Sequence, residues 1–232
     1  MPMVIPQVIA HRGASGHAYQ NSLSAFALAK QFRADGVELD IHATKDGVLL
    51  VHHDREVPGI GVIGEFRHDA FVGYRLPNGE PIPTLGQVLE ELGPFQVWIE
   101  VKTLAPVWDA RLLQVMRAGP SPERYAIHGF DHRIIARLGA GAPLLRRGAL
   151  QASYPLDLLG PLTAVGADTL WQERELIDQA MVDTLHRAGK KIIAWTANES
   201  PEIARLVGLG VDGICGNYPE RIREAVGMGT AS

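Results

Sequence analysis

Short runs rich in Val, Ile and Leu alternate with helical runs from one end of this chain to the other, and that alternation constrains the fold more than any other feature. Strand-like runs fall at 8–13, 97–102, 124–130, 144–150, 167–172, 191–198 and 211–216. One more, 37–44, continues through the turn Asp46-Gly47 into 48–54 as a hairpin-like extension. Helical patterns occupy 21–32, 84–92 and 108–118, and recur near 131–139, 156–165, 176–188, 201–208 and 219–226. Asn21 or Ser22 supplies the N-cap of the first. Eight strand positions, each followed by a helix, predict a (β/α)8 barrel, with a doubly wound open sheet as the competing architecture.

The segment 55–83 is rich in Gly and Pro and shows neither period, so it reads as a short loop insertion after the second strand, at the barrel mouth. One domain over residues 1–232 is expected, with its core at about 8–220. A chain of 232 residues with 46% hydrophobic content can build one large core of this kind. The formal net charge of -4 lacks the broad basic footprint of a nucleic-acid or anionic-membrane partner and leaves room only for a local basic cleft. Cys215 is the sole cysteine, so no intrachain disulfide can form, and it reads as a small buried residue on a late strand. The opening MPMVIPQVIAHRG lacks the pattern of a signal peptide, and no apolar run is long enough to span a bilayer. A soluble cytoplasmic protein without a transmembrane segment is expected.

Barrels of this type place their chemistry at the C-terminal strand ends. On 37–44, Val37, Leu39 and Ile41 face one way, and Glu38, Asp40 and His42 face the other. His11 and Arg12 end the first strand, His53 ends the extension of the second, and Glu100 and Lys102 end the third. Three carboxylates converging on one mouth repel each other and resist desolvation unless a cation intervenes. Two arrangements satisfy them. An oxygen-only ligand set suits a hard divalent ion, Mg²⁺ or Ca²⁺. A buried salt-bridge network with Arg12 and Lys102 would serve as well, and spacing alone favours neither. His11 and His53, brought to adjacent strand ends, suit general acid–base chemistry. His42, His52, His68, His128 and His186 read as surface or hydrogen-bonded structural residues, and His17 and His132 as loop or helix-start residues.

In this order the residues resemble the glycerophosphodiester phosphodiesterase family. The resemblance is carried by HRGASGHAYQNSLSAF, VELDIHATKDGVLLVHHD, IPTLGQVL, WIEVK, AWTAN and DGICGNYPE, and spans Val8 to about Glu220. It implies a (β/α)8 barrel that hydrolyses small-molecule glycerophosphodiesters to glycerol 3-phosphate and an alcohol, using a divalent metal. Carried over by motif position, His11 and His53 would be the acid–base pair and Glu38, Asp40 and Glu100 the metal ligands. Arg12 and Lys102 would bind the phosphate, and Trp195 would lie on the alcohol or glycerol side of the pocket. A large core residue on a barrel strand is the competing reading of Trp195.

The chain departs from the family pattern in three places. Tyr19-Gln20-Asn21-Ser22 replaces P-E-N-T, Gly216-Asn217 replaces T-D, and 55–83 lacks the usual T-T-x-G. Two other readings stand beside the leading one. The first is a lipid phosphodiesterase on the same barrel, of lysophospholipase D or sphingomyelinase D type, with VPGIGVIGEF (57–66) as an apolar approach to the mouth. The second is a barrel that binds phosphodiesters without turnover, against which both histidines and all three acids argue.

Overall fold

The computed structural model describes residues 5–228, so the ends of the expected domain, 1–4 and 229–232, lie outside the described residues. The chain opens with β1 (Gln7–His11), α1 (Leu23–Gln31) and β2 (Gly36–Ala43), then β3 (Leu49–Val51) and a small hairpin of β4 (Glu56–Val57) and β5 (Gly61–Val62). After it come α2 (Leu85–Leu92), β6 (Gln96–Thr103), α3 (Asp109–Ala118), β7 (Tyr125–His128) and α4 (His132–Gly141). The second half continues with β8 (Arg146–Gln151), α5 (Gly160–Val165), β9 (Thr169–Glu173), α6 (Gln179–Arg187) and β10 (Lys191–Trp195). It closes with α7 (Ser200–Leu209), β11 (Gly213–Gly216) and α8 (Pro219–Met228).

β1, β2 and β6 to β11 run parallel, and β1 pairs with both β2 and β11, so the sheet closes on itself as a (β/α)8 barrel. The open doubly wound sheet is excluded by that closure. β3 lies outside the ring, antiparallel to the end of β2, with Ile41 opposite Val51. Its turn needs Gly47, whose φ of 79 is left-handed, and a Cβ there would clash with the Trp108 ring. The hairpin thus returns His52 and His53 to the mouth.

Every residue of β2 is buried, yet its two faces enter different environments. Val37, Leu39 and Ile41 join the apolar layer between strands and helices, which is the main core. Inside the ring, Ile9, Trp98, Ala126, Leu150, Trp171, Ile193 and Cys215 form a separate apolar plug. Above that plug, register aligns polar tips: His11 with Glu38, Asp40 with Glu100, and Glu100 with His128.

Local chemistry sets several boundaries. Ser22 is the cap of α1, accepting the Ala25 N–H at 3.2 Å. α5 and α6 start later than the periodicity predicts. Asp157 accepts the Leu159 N–H at 3.0 Å, and Asp178 accepts that of Met181 at 2.8 Å, so each segment turns before it winds. Residues 55–83 are more ordered than a loop insertion suggests. Val57, Ile63, Phe71, Leu76 and Ile82 pack on Leu50 as a satellite core. Val57 and Ile63 are therefore turned inward, not toward the mouth as an apolar approach would require.

Candidate active site

Asp40 occupies the centre of the polar layer. Arg12 Nε lies 3.0 Å from its Oδ2 and Lys102 Nζ 3.1 Å from its Oδ1. Asn21 donates to Oδ2 at 2.8 Å. Arg12 and Asn21 both adopt left-handed backbone, φ 56 and φ 58, and the Asn21 N–H donates to the Arg12 carbonyl at 3.0 Å. Such geometry costs about 1–3 kcal/mol at a non-glycine residue, more readily tolerated by Asn than by Arg. Both strained residues aim their side chains at one buried carboxylate.

Glu38 and Glu100 flank Asp40, and one oxygen from each of the three acids lies within 4.8 Å of the others. Lys102 Nζ sits 2.8 Å from Glu100 Oε1, whereas Glu38 accepts, among the described residues, only the Arg12 backbone N–H, at 3.2 Å. Burial alone would raise the Asp40 carboxyl, but Lys102 and Arg12 overcome it and hold the group low. Burial, and then the Asp40 charge, push Glu38 and Glu100 up to about 7.

His11 and His53 face this cluster across a cavity of about 110 Å³ that Arg12, Glu38, Glu100, Lys102 and Trp195 also line. His11 donates from Nδ1 to Asn217 Oδ1 at 2.7 Å, which leaves Nε2 for the cavity. Burial lowers its pKa, against the raising effect of Glu38. His53 Nδ1 bonds Asp54 Oδ1 at 2.8 Å, and its backbone carbonyl accepts from His42 Nε2 at 3.0 Å. His52 is buried and bonds the Asp54 carbonyl at 2.9 Å, away from the cavity. Trp195 stands edge-on to Phe130 at 5.6 Å, at the wall of the cavity. A larger groove, about 660 Å³, opens at the opposite end of the barrel around Leu113, Met116 and Leu144, without an acid cluster.

The model of the glycerophosphoryl diester phosphodiesterase family matches residues 11–221. The chain belongs to that family. A glycerophosphodiester phosphodiesterase of Caldanaerobacter subterraneus subsp. tengcongensis is 32% identical over 241 residues, covering 96% of this chain and 98% of the relative. Among solved structures, a glycerophosphodiester phosphodiesterase from Parabacteroides distasonis superposes with a TM-score of 0.89 at 23% identity, covering 98% of this chain and 99% of that one. An Oleispira antarctica phosphodiesterase, in complex with the product sn-glycerol-3-phosphate, also gives 0.89 at 24% identity, covering 96% and 97%. Family membership carries a coarse statement of function: an enzyme that hydrolyses phosphodiesters on a (β/α)8 barrel.

The acids of this glycerophosphodiester phosphodiesterase family member can be tested against a divalent ion by their own charges. Glu38, Asp40 and Glu100 supply three negative charges, and Arg12 and Lys102 supply two positive ones. The set is left with one negative charge in surplus, and it is Glu38 and Glu100 whose pKa values are raised by burial and by the Asp40 charge. The salt-bridge reading therefore describes Asp40 well and leaves Glu38 without a side-chain cation. Buried oxygen donors with surplus charge fit a divalent ion. No helix among the described residues is long and apolar enough to cross a membrane.

Three further residues, Gln20, Asn217 and His128, border the site. Gln20 accepts from Arg12 Nη1 at 2.6 Å, so the amide replacing the family acid touches the site itself. Asn217, the second departure, holds the His11 ring, while Gly216 is required because a Cβ would clash with the Ala197 carbonyl oxygen. His128 reads as structural in the sequence, yet it lines the cavity, buried, and neither ring nitrogen has a hydrogen-bond partner among the described residues. Burial lowers its pKa to about 4. Its place at the end of the fourth barrel strand, opposite Glu100, was the available signal.

Proposed function

We propose that this chain hydrolyses glycerophosphodiesters to glycerol 3-phosphate and an alcohol, with a divalent ion held by Glu38, Asp40 and Glu100. The observation that carries this reading is the meeting of three buried acids, two cationic side chains and two histidines in one cavity. When bound, the ion supplies Lewis-acid stabilisation of charge on the phosphoryl oxygens. Arg12 and Lys102 bind the phosphodiester monoanion and face the charge that grows as the bond to the leaving oxygen breaks. His11, kept neutral by burial, accepts a proton at Nε2 from the attacking water, or from a substrate hydroxyl whose attack forms a cyclic phosphate that water then opens to glycerol 3-phosphate. His53 donates a proton to the departing alkoxide, which leaves as the alcohol. Asn217 holds the first ring, Asp54 holds the second, and His42 holds the His53 backbone carbonyl. Trp195 and Phe130 offer an apolar wall to the alcohol or glycerol side of the substrate. All of these groups stand on one barrel, a single catalytic domain.

The test is an assay of purified protein on glycerophosphocholine, with and without divalent ion, and with a lysophospholipid in parallel. Metal-dependent release of choline and glycerol 3-phosphate is expected. Turnover of the lysophospholipid alone would move the assignment to the lipid phosphodiesterases, and binding without turnover of either would make the barrel a binding module.

A further inference from the structure

We propose that Gln20 is the positioning residue of Arg12: its amide oxygen aims the guanidinium at the phosphoryl group without offsetting its charge. It thereby sets how tightly the site holds a dianionic phosphate relative to a monoanionic diester. The inference rests on the phosphodiester reading above and requires no particular ion.

Arg12 has little else to direct it. Its Nε stands 3.0 Å from Asp40 Oδ2, close enough for an ion pair, yet it is buried without an aligned hydrogen bond among the described residues. The one hydrogen bond that the Arg12 side chain makes among those residues runs from Nη1 to Gln20 Oε1, at 2.6 Å. An ion pair attracts from any angle, whereas a hydrogen bond weakens steeply away from linearity, so the direction of the guanidinium is set at Gln20. The backbone delivers residue 20 to this place. The Asn21 N–H closes the loop on the Arg12 carbonyl at 3.0 Å, with both residues left-handed.

The competing role for Gln20 is support of the start of α1. That task is already filled, since Ser22 caps α1 and the Asn21 side chain is engaged by Asp40. Gln20 also stands outside the lining of the cavity, so it reaches a bound phosphate through Arg12. The acceptor's charge matters here. Lys102 pairs with two carboxylates, Asp40 at 3.1 Å and Glu100 at 2.8 Å, whereas the Arg12 side chain pairs with Asp40 alone. An amide acceptor preserves that difference and leaves Arg12 the less compensated of the two cations. A carboxylate in the same place would stay ionised beside the guanidinium and oppose any anion held there. A dianion would feel that opposition about twice as strongly as a monoanion.

Two substitutions separate direction from charge, with saturating divalent ion and at about pH 8, where glycerol 3-phosphate is a dianion because its second pKa is about 6. Calorimetric titration gives the Kd of glycerol 3-phosphate. Turnover gives the KM of glycerophosphocholine, whose phosphate carries a single negative charge, and its Kd replaces KM if it is bound without turnover. Gln20→Met removes the acceptor without adding charge, so both constants should rise by the same factor, about threefold. Gln20→Glu keeps an acceptor and adds a charge, so the constant for the diester should rise about threefold and that for glycerol 3-phosphate about tenfold. The gap between the two should narrow as salt is raised. Both variants should melt with the wild type, because the cap of α1 is untouched. Equal factors for the two ligands in Gln20→Glu, or no change in Gln20→Met, would overturn the role of Gln20 and leave the phosphodiester reading standing. A wild type that binds neither ligand and turns over no diester would overturn both.

Discussion

At the residue scale, one position separates a histidine in the cavity from a buried neighbour. His53 lines the cavity and His52 does not, because the β3 hairpin returns the chain in this register. Positioned acids and bases contribute about 10²–10⁴-fold each, so His53→Ala should lower kcat on that scale and His52→Ala far less. Steady-state kinetics of both variants checks this, and a greater loss in His52→Ala would shift the register by one residue. Asn217 yields a second prediction. Burial holds the His11 pKa below its ordinary value, and the ring is neutral above that pKa. Asn217→Asp would set a carboxylate against Nδ1–H, favouring the imidazolium and raising the pKa. The acidic limb of the pH–rate profile, which reports His11 as the base, should therefore move to higher pH. An unmoved profile would remove Asn217 from control of that ring. The residues of the E-x-D and E-x-K strands were legible because an inward-facing carboxylate has to be paired, protonated or bound to a cation. His128 was not, because a lone histidine on an apolar strand looks structural until the barrel sets it beside Glu100.

At the scale of elements, strands with strict alternation declared themselves, whereas the insertion did not. β2 and β6 carry their period over eight residues each. β4 and β5 are two residues long, and the order around them comes from burial on Leu50, which no local period encodes. The same physics makes the insertion separable from the barrel. Ile63 is fully buried in its satellite core, so Ile63→Ala should cost about 2–5 kcal/mol, borne locally. Hydrogen exchange should quicken across 55–83 while β6 to β9 keep their protection. Uniform loss of protection around the barrel would instead make the insertion part of one cooperative unit.

At the scale of the whole molecule, the barrel interior is divided along its axis: an apolar plug of Trp98, Trp171 and their neighbours below, charged groups above. The alternation of strands and helices made the barrel legible from sequence, but the surplus charge at its mouth emerges only when closure sets β1, β2 and β6 side by side. That surplus underlies the proposed ion dependence. The most direct measurement is turnover of glycerophosphocholine against ion occupancy, in the wild type and in Glu38→Gln, with occupancy determined on the same samples. Activity should rise in proportion to one bound ion per chain, vanish in excess chelator and return on adding the ion back, and Glu38→Gln should need more ion to reach the same occupancy. Full turnover by wild-type protein shown to carry no ion would contradict the ion site and leave Glu38, Asp40 and Glu100 as a salt-bridge network.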